Sequence, residues 1–320
     1  LGEELGKEYV KEYFPEIRKL QVLAMVSHIK VALTDIIENL DWMCDKTKKS
    51  AKIKLDKMTP LIGYPDVWIN TSQLDITADK SLLQNVIEAS KFWESHWMKK
   101  IGQPVDLSEW SMTPQTVNAY YSPQKNQIVF PAAILQEPFF SVGTDTKILA
   151  KNYGSIGAVI GHEITHAFDD SGRKFDDKGN QCNWWTEEDA KRFQKKASQI
   201  VNQYYKCIFF GENLNGELTQ GENIADIGGV KIAYKAYHNA CKALNRPGQI
   251  PDVQEFFYSY AGIWKNLTTE QAAKLRVQTD PHSPGIFRVN QVLKNIKEFR
   301  EAFNVQPGDG MYLEEMATVW

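Results

Sequence analysis

The segment His162-Glu163-Ile164-Thr165-His166 sets two imidazoles one helical turn apart, so both fall on one face and can hold one Zn²⁺. Glu163 stands beside that face without being forced to ligate. There it can take a proton from a metal-polarised water and pass it to a leaving amine. Zinc supplies such water at neutral pH by lowering its pKa to about 7. Around the motif, Ile156, Val159, Ile160, Ile164 and Phe168 wrap most of the circumference of a helix predicted over 152–168. Such a helix belongs in the interior, where unpaired polar groups are costly. That favours a metal pair over ordinary core histidines.

A hydrolytic zinc site needs a third protein ligand and an open fourth position. The best candidate is Glu222, in Gly221-Glu222-Asn223-Ile224-Ala225-Asp226. Glu222 and Asp226 are again one turn apart on a predicted helix and point at one neighbour. One carboxylate can bind the metal while the other accepts the ring N–H of a bound imidazole and fixes its tautomer. Asp169, shortly after His166, is placed to orient the second ring. Alone, Glu222 and Asp226 would read as a solvated helical face; beside the His pair they do not.

These residues need a scaffold, and 320 residues at roughly 150 per domain allow about two domains. With 42% apolar and 24% charged residues, the composition is that of a globular protein. A net charge of −3 without dense Lys/Arg blocks argues against a nucleic-acid partner. No uninterrupted apolar run reaches the ~20 residues of a membrane span, so no membrane segment is expected in the chain. The chain opens at Leu1, inside a helical pattern, and is expected to be part of a longer protein. Cys44, Cys182, Cys207 and Cys241 are widely spaced, which leaves no Cys-based zinc or redox motif and no way to choose a pairing.

Apolar periodicity predicts helices over 15–41, 47–58 and 80–99. The Lys-rich face of the second reads as solvated surface. Thr59-Pro60 and Gly63-Tyr64-Pro65 read as breaks. Residues 116–130 read as strand, turn, strand, and further helices are predicted over 186–206, 221–244, 252–264 and 289–303. The fold class is mainly α with a small β element, an α+β arrangement. Gly154, Gly157 and Gly161 fit no phosphate-binding pattern and read as close-packing positions.

Four motifs in order along the chain resemble the neprilysin and endothelin-converting-enzyme family of zinc endopeptidases. They are Asn118-Ala119-Tyr120-Tyr121, His162-Glu163-x-x-His166, Gly221–Asp226 and Asp280-Pro281-His282-Ser283-Pro284-Gly285, with a terminal Val319-Trp320 that fits as well. The match corresponds to the C-terminal half of a full-length member. The resemblance implies a thermolysin-like zincin fold, with residues 1–90 as part of a helical, substrate-enclosing cap and 91–320 as the zinc-dependent catalytic domain. It implies one Zn²⁺ per chain on His162, His166 and Glu222, with Glu163 as base, Asp226 orienting His162 and Asp169 orienting His166. It further implies that His282, supported by Asp280, steadies the tetrahedral oxyanion, and that Arg288 grips the substrate carbonyl beyond the scissile bond. Asn118 and Ala119 correspond to a clamp on the substrate backbone. Ile134, Phe139, Val159 and Trp264 correspond to the pocket for the residue after the cut, so cleavage on the amino side of hydrophobic residues is expected.

Family cysteine positions here read Lys265, Val305 and Ala317, so the chain looks more like a bacterial oligopeptidase-type member. Peptides are the expected partners, together with the half of the protein that would precede Leu1. The resemblance suggests a location outside the cytoplasm, although intracellular relatives exist among bacteria. A separated half that binds peptides without hydrolysing them is the competing reading. A zincin of another clan, such as an aminopeptidase, suits the Gly221–Asp226 and Asp280–Gly285 motifs less well.

Overall fold

A computed structural model describes residues 1–246 and 249–320. Helices α1 (Gly2–Tyr13), α2 (Glu16–Asn39) and α3 (Asp45–Lys57) lead into strand β1 (Thr59–Gly63) and helix α4 (Leu82–Met98). Strands β2 (Tyr120–Ser122) and β3 (Gln127–Pro131) follow. Helix α5 (Thr146–Asn152) continues through a π-helical turn, Tyr153–Gly157, into α6 (Ala158–Thr165). After α7 (Glu187–Tyr205) come a two-stranded ribbon, β4 (Ile208–Phe209) and β5 (Glu212–Asn213), and the long α8 (Gln220–Ala243). Helices α9 (Ile250–Ile263), α10 (Glu270–Thr279), α11 (Gly285–Leu293) and α12 (Lys297–Ala302) complete the described elements.

The helix starts follow local chemistry. Asp145 and Thr186 accept the N–H groups of Ile148 and Asp189, satisfying donors that α5 and α7 would otherwise leave open. The latter helix also gathers Glu187, Glu188 and Asp189 at its positive end. Pro284 ends the preceding turn in extended conformation and lets α11 begin at Gly285. Consequently the helix expected over 289–303 is two, starting earlier and broken at 294–296. The helix expected from 152 begins already at Thr146. α10 escaped the periodicity reading because only Ala273 and Val277 of its residues are buried.

Thr59–Gly63, read as a break, is a strand. β1 pairs in parallel with β3, Thr59 opposite Gln127 through Gly63 opposite Pro131. The sheet order is β1-β3-β2, so Pro60 sits on an edge strand, where its missing N–H is tolerated. The hairpin strand expected from 116 is hydrogen-bonded only from Tyr120.

α2 packs against α8 and the π turn, and Val22, Val26, Ile29, Leu33 and Ile37 join the core that surrounds α6. An 18-residue window of α2 reaches a mean hydropathy of 1.5, enough by length and composition to cross a membrane. Lys30 and Asp35 interrupt it, so α2 is not a continuous apolar run. Here its apolar side is used for packing within the chain. On α3, Lys46, Lys49 and Lys57 are exposed, whereas Lys54, on the face expected to be solvated, is buried.

Candidate metal centre

α6 and α8 touch backbone to backbone. A Cβ at Gly161 would fall 2.6 Å from Gly229 O, and one at Gly229 would fall 2.7 Å from His162 N. Only glycine at both positions lets the helices approach this closely. Their contact lays Glu222 and Asp226 against the face of α6 that carries His162, with His166 at its C-terminal end.

His162 Nδ1 lies 2.8 Å from Asp226 Oδ1, and His166 Nδ1 lies 2.7 Å from Asp169 Oδ2. The hydrogen bond to Asp169 keeps the His166 proton on Nδ1. Asp226, close to His162 Nδ1 but not aligned with it as a hydrogen-bond partner, favours the same tautomer there, so both Nε2 atoms face inward. The two Nε2 atoms are 3.0 Å apart. Glu222 Oε2 stands 3.2 Å from His162 Nε2 and 3.6 Å from His166 Nε2. Yet this oxygen is buried and makes no hydrogen bond. Two imidazole nitrogens and one carboxylate oxygen, all within 4.8 Å of one another, form a donor set suited to Zn²⁺.

The local field agrees. Burial opposes charge on His166, but its hydrogen bond to Asp169 and the negative charge of Glu222 beside it outweigh burial and hold its pKa well above the ordinary value. Burial would likewise raise Glu222, but the two imidazoles hold it far below the usual carboxylate range. Positive charge is therefore favoured among these donors. Glu163, beside them and buried, has its carboxyl pushed up by desolvation, which gives it a greater appetite for a proton.

His282 approaches from the turn before α11, its Nε2 3.3 Å from Glu222 Oε2. Asp280 Oδ1 accepts both the backbone N–H of His282 at 2.9 Å and its Nδ1 at 2.8 Å. Ser283 Oγ donates to Asn223 Oδ1 at 2.8 Å and pins this turn to α8. Arg288 grips Asp226 with two parallel bonds of 2.7 Å, Nε to Oδ2 and Nη2 to Oδ1. Its guanidinium also lies 3.9 Å from the Trp264 ring centroid.

These groups meet at the floor of a cleft of about 720 Å³. Asn118, Ala119, Ile134, Phe139, Val159, Trp264, His282 and Arg288 all line it, as do the donor set, Glu163, Asp169 and Asp226. Asp280 stands behind His282, outside the lining. Asn118 and Ala119 lead into β2, an edge strand whose outer side has no strand partner among the described residues. The Ala119 N–H donates to Asn118 Oδ1 at 2.9 Å.

Several contributors were not singled out from sequence. Asn223 had a usable signal, standing directly after Glu222; Tyr260, whose hydroxyl donates to Arg288 O at 2.7 Å, had none. Lys54 lay hidden among other lysines. Cys44, Cys182, Cys207 and Cys241 are all free.

Two models described as peptidase family M13 match residues 118–319 and 1–65. Endothelin-converting enzyme 1 of Homo sapiens is 40% identical over 331 residues, covering 100% of this chain and 43% of the relative. Neprilysin-3 of Drosophila melanogaster is 39% identical, covering 100% of this chain and 42% of the relative. Among solved structures, the zinc metalloprotease Zmp1 of Mycobacterium tuberculosis in complex with inhibitor superposes with a TM-score of 0.92 at 39% identity. That match covers 100% of this chain and 49% of the other. The chain thus spans about half the length of the proteins it matches.

Proposed function

The chain belongs to peptidase family M13 and has the mainly helical, zincin-type fold of its solved relatives; on that premise we propose that it hydrolyses short peptides as a zinc metalloendopeptidase. One observation supports this most strongly: two inward imidazole lone pairs and an unbonded carboxylate oxygen converge beside Glu163 in a cleft edged by an unpaired strand.

In this reading His162, His166 and Glu222 hold one Zn²⁺ per chain. When bound, zinc polarises a water and the scissile carbonyl. Glu163 takes the proton from the attacking water at its carboxylate and delivers it to the leaving nitrogen. Asp226 and Asp169 keep the imidazole protons on Nδ1. His282, its Nδ1–H held by Asp280, points Nε2 at the place where the carbonyl oxygen gains negative charge, and as an imidazolium it donates there, which is where a donor lowers the barrier. The free edge at Asn118 and Ala119 pairs with an extended substrate backbone. Arg288 carries its charge to the side of the cleft where the carbonyl after the cut would lie.

Phe139, Val159 and Trp264 are partly buried and Ile134 more deeply so, and all four line the same cleft as Arg288, whose guanidinium lies over Trp264. We therefore expect cleavage on the amino side of hydrophobic residues. A peptide series varied only at the position after the cut, with products mapped by mass spectrometry, tests this. Phe or Leu should exceed Asp or Lys by about 10-fold or more in kcat/KM. A preference for charged residues would overturn the pocket assignment.

Residues 1–90 are proposed to supply part of a helical cap. However, α2 packs on α8 and β1 pairs with β3, so this stretch also builds the body of 91–320 and no clean boundary falls at 90. The remainder of a longer protein is proposed as its partner. We place that protein outside the cytoplasm. The coverage of 42–43% of the curated relatives favours one alternative, a chain that binds peptides but needs its remaining half for turnover.

A further inference from the structure

α3 carries one lysine that does not reach solvent. Lys54 is 1% exposed, and its Nζ donates to the carbonyls of Ala167 at 2.7 Å, Gly172 at 2.8 Å and Phe175 at 2.7 Å. Three acceptors take all three N–H groups of an ammonium, whereas a neutral amine has only two. Among the described residues no carboxylate lies within ion-pair distance of it. The faces of Phe168, Trp184 and Tyr121 surround it at 5.7, 5.7 and 5.8 Å from their centroids. Burial pulls the group down to about 7, and the Asp169 carboxylate is the foremost charge acting against that pull.

The three carbonyls bracket Asp169. Ala167 precedes it, and Gly172 and Phe175 follow it. Asp169 holds His166 Nδ1 with Oδ2 while Oδ1 accepts the N–H groups of Ser171 at 2.9 Å and Gly172 at 2.7 Å. The loop turns so tightly that a Cβ on Gly172 would fall 1.7 Å from His166 O. Lys54 is itself fixed from behind, because Asn126 Nδ2 donates to its carbonyl at 2.9 Å.

We propose that Lys54 is a positioning residue for His166: its ammonium gathers the loop after α6 so that Asp169 is presented to His166 Nδ1. The proposal rests on the reading of His166 as a zinc ligand. It joins the N-terminal helices to the metal centre through one buried cation, with no contact to substrate or metal.

Zinc affinity measured by chelator competition tests it, using Lys54→Met, Asp169→Asn and the double variant in the full chain. Lys54→Met should weaken zinc binding by about 10- to 100-fold, the range for groups that orient a metal ligand. The Lys54→Met loss should largely vanish in the Asp169→Asn background, since both changes act on one imidazole. A merely structural lysine would instead give losses that multiply. Unchanged affinity in Lys54→Met, or multiplying losses, overturns the proposal. If Lys54→Met does not fold, Lys54→Arg carries the same cycle, because a planar fork cannot serve three carbonyls set around one point. There too, non-additive loss supports the proposal, and additive or absent loss overturns it. A wild-type chain that binds no zinc would instead remove the underlying reading of His166.

Discussion

Glu163→Gln should lower peptide hydrolysis by about 10²- to 10⁴-fold or more while leaving zinc content unchanged. The amide keeps the size and shape of the buried carboxyl but cannot accept the proton of an attacking water. Zinc should stay because the donor atoms belong to His162, His166 and Glu222, and Glu163 is not among them. Desolvation already pushes the Glu163 carboxyl up, so its proton affinity is set by the pocket and is not reproduced by any neighbour. Steady-state kinetics beside elemental analysis of the same sample checks both halves. Undiminished turnover would remove Glu163 from the base role.

Arg288→Met should destabilise the fold by about 3–5 kcal/mol, the cost of breaking a buried ion pair by deleting one partner. Both groups are well enclosed, with side-chain exposures of 10% for Arg288 and 2% for Asp226, so solvent cannot replace the lost guanidinium. Burial alone would raise the Asp226 pKa, but Arg288 and His162 outweigh it and hold it below the ordinary carboxylate value. A depressed carboxylate stabilises the fold above its unfolded-state pKa and loses that contribution as pH falls through the folded value. The gap between wild type and Arg288→Met should accordingly be full near neutral pH and narrow in acid. Adding Asp226→Asn to Arg288→Met should recover part of the stability, because it removes the stranded charge. Denaturant unfolding across pH reads all of this, and a single variant as stable as wild type would refute the pair's role.

The residues whose partners are close in sequence were legible, because helical periodicity puts them on one face. His162 with His166, Glu222 with Asp226, and Asp169 near His166 all follow from spacing within a turn. What joins these pieces is long-range and left no local mark. Arg288 pairs with Asp226 across 62 positions, and Lys54 reaches Ala167 across 113. Lys54 could not be told from Lys46 or Lys49 because composition does not show which side of α3 meets the core. β1 was hidden for the same reason: five residues containing a proline look like a break until β3 pairs with them. Gly161 was readable as a close-packing position, but its partner Gly229 was not, since neither names the other.

Elemental analysis of the purified chain is the most direct test of the central claim that His162, His166 and Glu222 hold a metal. About one zinc per chain is expected, falling towards zero in Glu222→Val with the fold retained. A folded wild-type chain that takes up no zinc when zinc is supplied would contradict it.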